Sequence, residues 1–164
     1  MKSKQQTSKT YFKLLSLINS AVISGYVLGA IVTTIFFVDY KGPYVISRFD
    51  IFLMLFIPSI TLFGLYRSDF FFNLKVPLLK KIDDMKIKMS EYRELVIVRI
   101  VYLSLPAVLS ILAVAKTNAL TYFIYTGFVI YTMIVKKPTL KSAITDMKLN
   151  KQEIAILEDP ESLI

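Results

Sequence analysis

The sequence predicts an all-α integral membrane protein: four transmembrane helices in two hairpins, plus a cytoplasmic amphipathic helix. Three observations predict it. Hydrophobic residues make up 55% of the 164 residues, against about 45–50% in a soluble domain, and mean hydropathy is +0.57. Four long segments carry almost no charge. The basic residues concentrate in alternate connecting segments.

The chain begins with a basic tail, residues 1–13, holding Lys2, Lys4, Lys9 and Lys13. The first apolar run, residues 14–38, has no charged side chain over 25 residues. About 20 apolar residues cross a bilayer core. A cleaved signal segment has an apolar stretch of only about 7–15 residues, so an uncleaved anchor is expected. The second run, 51–66, is 16 residues without a charge. The third, 95–115, is 21 residues interrupted by Arg99 alone, and the fourth, 119–135, is 17 residues without a charge. Runs two and four are at the short end for a span. Together the four runs define a membrane domain over residues 14–135, followed by a C-terminal tail, 136–164. Outer-membrane strands, roughly 10 residues of alternating polarity, do not fit these continuous stretches.

Orientation follows from charge. The N-terminal tail, the segment 67–94 and the C-terminal tail hold sixteen basic residues. The two other connections hold three: Lys41, Arg48 and Lys116. Lys and Arg accumulate on the cytoplasmic side, so both termini and the central segment are expected there. Four spans satisfy that parity. The net charge of +8 is then a product of topology and of attraction to anionic lipid. Nucleic-acid binding is not expected, because Phe70, Phe71 and Phe72 beside a span read as interfacial aromatics.

Between spans two and three, residues 78–94 form the amphipathic segment. Leu78, Ile82, Met85, Met89, Tyr92 and Val96 recur at gaps of four and three, one face of a helix. Pro77 suits its first turn. Lys80, Lys81, Lys86, Lys88 and Arg93 are assigned to a basic face toward anionic lipid; a docking helix for a partner's groove is the alternative. In the C-terminal tail, Leu140, Ile144 and Met147 suggest one short helix. Asn150 followed by Glu153 has capping-box spacing ahead of a second.

Within the spans, Ala21, Gly25, Gly29 and Thr33 recur every four residues, a small-residue stripe for close helix packing. It serves either packing within the four-helix unit or a dimer seam. Asn19 is expected to face protein, because lipid cannot satisfy its amide. Arg99 lies about 6 Å of helix rise from the start of its run. It is expected to snorkel or pair with an acid near the interface, or else to meet an anionic ligand. Pro58 and Pro106 sit inside spans two and three and invite kinks. Thr121, Tyr125 and Thr132 form a weakly polar stripe on span four.

Catalytic signatures are missing. With no Cys and no His, thiolate and imidazole chemistry and most zinc or haem sites are excluded. No metal ligand set, cofactor motif or catalytic residue is assigned. Asp39 and Asp50 flank the first hairpin, yet no surrounding motif marks them as a dyad. No carboxylate lies inside a run, which argues against a proton-coupled carrier. The expected function is that of a small non-enzymatic multi-pass protein that scaffolds, regulates or assembles with other membrane proteins or with copies of itself. A subunit of a small oligomeric transporter or channel is the alternative.

Overall fold

The computed structural model describes residues 7–38 and 47–159. Its elements are α1 (Ser8–Phe37), α2 (Arg48–Leu79), α3 (Met85–Thr117), a 3₁₀ turn (Leu120–Tyr122), α4 (Phe123–Val135), α5 (Leu140–Met147) and α6 (Lys151–Glu158). Three helices, α1, α2 and α3, are each long and apolar enough to cross a membrane. At 1.5 Å per residue they measure about 45–50 Å, well beyond a hydrocarbon core of about 30 Å. The fourth apolar segment, Leu120–Val135, is shorter. Its 3₁₀ turn and α4 together rise roughly 25 Å.

The extra length of α2 and α3 replaces what the sequence reads as a connecting segment. Residues 67–79 continue α2, and 85–94 open α3. The segment 78–94 is therefore not one helix. Pro77 lies near the end of α2 rather than at a helix start. The chain turns at 80–84, and Asp84 begins α3 by accepting from the backbone N–H of Lys86 and Ile87. The predicted face meets the core only from the turn onward: Leu78 of α2 is exposed, and its neighbour Leu79 is buried instead. Met89, Tyr92 and Val96 are buried in the core, and Ile82 and Met85 pack against it.

α3 is the central helix and packs against α1, α2 and α4. Its partner α2 buries Leu53, Ile57, Thr61, Gly64, Ser68, Phe72, Val76 and Leu79, at gaps of three or four along its whole length. The closest approach is at Gly64. A Cβ there would lie 2.9 Å from the Tyr102 carbonyl oxygen and 3.0 Å from Pro106 Cγ. Pro106 is thus part of the α2–α3 contact, and the carbonyl of Pro106 accepts from Ser110 Oγ. A smaller core at the other end gathers Leu53, Ile57, Ala113, Val114 and Tyr122. There α3 stops at Asn118, whose φ of 58° is left-handed, a conformation Asn tolerates well.

At the opposite end the tail helices close the bundle. Both carry capping boxes, Thr139 with Ser142 and Asn150 with Glu153. Ser8 Oγ donates to the Leu157 carbonyl at 2.6 Å, and Tyr11 Oη donates to the Met89 carbonyl at 2.6 Å. Met147 and Leu157 are buried in the main core. The first turn of α1, the first turns of α3 and both tail helices thus form one packed end.

Candidate functional site

The polar side chains of the bundle interior gather where this packed end meets the apolar helices. Asp69 of α2 stands between Arg99 of α3 and Lys136, just after α4. Its Oδ1 accepts from Arg99 at 2.7 Å, and its Oδ2 accepts from Lys136. The Arg99 guanidinium lies 4.3 Å from the Phe72 ring centroid, a cation–π contact that keeps the charge on an aromatic face. Two turns nearer the tail, Tyr92 Oη donates to Asp146 at 3.1 Å. Asn19 Nδ2 donates to the Met133 carbonyl at 3.2 Å, tying α1 to the last turn of α4.

All of these residues except Asp69 line a cavity of about 20 Å³, with Val96, Ile100 and Ser142. That is room for a single water, since about 10–15 Å³ is the minimum for one. An organic ligand does not fit. Arg99 Nε is buried with no hydrogen-bond partner, so the belt has a donor left over for such a water. Among the described residues, no cluster of three or more Asp or Glu side chains is placed to hold a metal ion.

A second ion pair joins the tail to the bundle. Lys88 Nζ donates to Glu153, and the lysine side chain is only 4% exposed. Burial pushes the Glu153 carboxyl up, but hydrogen bonds from Lys88 and the Asn150 backbone outweigh it and hold the group below its ordinary range. Asp146 moves the other way: burial raises it, despite the bond from Tyr92 and the nearby Arg99 charge.

No protein-family model, curated protein or solved structure matches this chain. The geometry alone therefore carries the functional reading.

The remaining expected residues fall in three places. Of the basic face, Lys80, Lys81 and Lys86 are exposed and Arg93 is half-buried. Lys88 is not lipid-facing, because its position on α3 turns it toward α6. Of the small-residue stripe, Thr33 is buried and a Cβ at Gly29 would meet Ile111 Cδ1 at 3.5 Å. Ala21 is exposed, and nothing lies within 4 Å of a Cβ at Gly25. The stripe therefore does not pack inside this unit over its first half. On α4, Thr132 bonds back to Phe128 of its own helix. The cross-helix bond comes instead from the buried Thr126, which donates to the Ala107 carbonyl at 3.4 Å. Asp50 is buried as a cap, accepting from the Ser47 backbone at 2.7 Å; its companion Asp39 lies outside the described residues.

Three site residues have no mark in the sequence reading. Asp69 lies in the connecting segment 67–94 and Asp146 in the C-terminal tail, with no motif around either, and Gly64 belongs to no stripe. The spacing of Asp69 three residues before Phe72, beyond an apolar run, is a signal only once α2 is known to continue past Tyr66.

Proposed function

We propose that the chain is a non-enzymatic membrane protein that crosses the bilayer four times, with both termini cytoplasmic, and that assembles with other membrane proteins through α1. The observation that carries this is the position of α1. Only 11% of its most apolar window is buried, against 39% for α3, and its outward face includes Ala21 and Gly25, where a second helix backbone can approach closely. The polar groups inside the bundle are meanwhile engaged with one another, which suits a structural interior better than a reacting one.

Four crossings are supported by the levels of the charges. Arg67, Asp69, Arg99 and Lys136 follow or interrupt the apolar parts of α2, α3 and α4 at one end, and Lys116 with Asn118 marks the other. The packed end brings Ser8 and Leu157 together, in keeping with termini on one side.

The absence of cysteine gives a direct test. Gly25→Cys and, on the buried face, Thr33→Cys are expressed in the native membrane and treated with a mild oxidant or a short thiol cross-linker. Cross-linked species are expected from position 25 and not from 33. No adduct from position 25, together with solute flux through liposomes holding the purified protein, would replace this reading with the transporter one.

A further inference from the structure

Three cations near the membrane boundary have carboxylate partners in the fold: Lys88 with Glu153, and Arg99 and Lys136 with Asp69. Arg67 has none among the described residues, and its Nε is buried with no hydrogen-bond partner. It is part of a regular ridge on α2. Phe63, Arg67, Phe71 and Lys75 follow one another at intervals of four, so each lies against the next along the helix. The Arg67 guanidinium is 5.9 Å from the Phe63 ring centroid, and Lys75 Nζ is 5.4 Å from that of Phe71. Phe71 in turn meets Tyr102 of α3 at 6.2 Å. The Phe63 ring flanks the guanidinium, and its N–H groups meet no acceptor among the described residues.

We infer that this ridge binds the phosphate of an anionic glycerophospholipid in the leaflet at the packed end of the bundle, with Arg67 as the principal contact. Arg67 lies two residues before Asp69, about 3 Å of helix rise from the polar belt, the level at which the hydrocarbon ends and phosphates begin. A guanidinium fork matches two phosphate oxygens. The exposed Phe63 ring, one turn deeper, offers a surface to the acyl chain. Lys75 adds positive potential farther out, with no carboxylate within ion-pair distance among the described residues. An ammonium-bearing zwitterionic headgroup would be repelled by both cations, so the charge favours a headgroup with net negative charge. The inference rests on the membrane-spanning reading, but not on which side faces the cytoplasm.

The test uses the full chain in detergent, with native mass spectrometry after adding phosphatidylglycerol or phosphatidylcholine of identical chains. The wild type is expected to retain the anionic lipid preferentially. Arg67→Gln should lower that retention about tenfold, as the loss of one charge-assisted contact implies. Arg67→Lys should fall between, and Lys141→Gln, at an exposed position of α5, should match the wild type. If Arg67→Gln melts below the wild type, Arg67→Lys becomes the deciding variant. Equal retention of both lipids by the wild type, or undiminished retention by both Arg67 variants, overturns the site. Displacement of the lipid by millimolar inorganic phosphate assigns the ridge to a free anion and also overturns it. Carbonate extraction of native membranes tests the spanning reading separately: a released protein would fail that reading, whereas a retained protein with no lipid preference would fail the ridge alone.

Discussion

Lys88 shows how a single residue changes meaning between sequence and structure. By spacing it belongs with the exposed lysines around it. In the fold it is 3% exposed and is neutralised by Glu153 from the other end of the described chain. Removing one partner of such a pair leaves a charge short of solvation, so Glu153→Gln should destabilise the tail docking by about 2 kcal/mol, between the values for exposed and fully buried pairs. The pH dependence has a definite sign. A carboxyl held below its unfolded value contributes stability that is complete above that value and is lost as pH falls through the folded one. The contribution of Glu153 should therefore be complete at neutral pH and fade as pH falls below the unfolded carboxyl value of about 4.3 toward the lower folded one. Asp146, raised by burial, has the reverse effect: its ionisation costs stability above its folded value, and acid relieves that cost. Thermal melts of wild type and Glu153→Gln at neutral pH and at about pH 3.5 should differ widely in the first buffer and less in the second. Parallel melts at both would remove the ion pair from the account.

At the scale of the element, the tightest helix contact is the one with no small-residue stripe to announce it. Gly64 stands alone in its run, so repeat spacing cannot find it, whereas Gly25 and Gly29 are conspicuous and one of them meets nothing. Gly64→Ala puts a methyl 2.9 Å from a backbone oxygen, a contact that only movement of α2 against α3 can relieve. It should cost about 1–3 kcal/mol. Gly25→Ala should cost nothing in the monomer and gains helix propensity. Melting the two variants side by side in detergent checks this, and equal stability would mean that the α2–α3 seam is looser than described. Helix identity and the inward face of 82–96 were legible, because apolar spacing records which side meets a core. The break at 80–84 was not legible, since Leu78 continues that spacing in the sequence although Leu79 is the residue α2 buries. Asp84, with its cap to Lys86 and Ile87, is the local mark of that break.

For the whole molecule, the apolar runs show where lipid can be, yet they understate the helices, which continue about 15–20 Å past a hydrocarbon core. The polar belt at Asp69, Arg99 and Lys136 was only a third legible. Arg99 stands out by interrupting an apolar run, but its partners come from segments 30 and more residues away, and no local pattern joins them. The orientation can be read by labelling. Cysteines placed singly at Ser90, Lys116 and Lys148, all exposed, should divide two to one. An impermeant thiol reagent outside intact cells is expected to label position 116 alone. Labelling at 90 and 148 instead would invert the protein in its membrane.

The bond from Ser8 to Leu157 has a consequence for biosynthesis. The start of α1 is tied to a helix 149 residues further along. Until α6 emerges, Lys88 is without its carboxylate and the main core is without Leu157. A chain truncated before α6 therefore carries an uncompensated lysine beside an incomplete core. A stop codon between α5 and α6 should accordingly lower steady-state abundance.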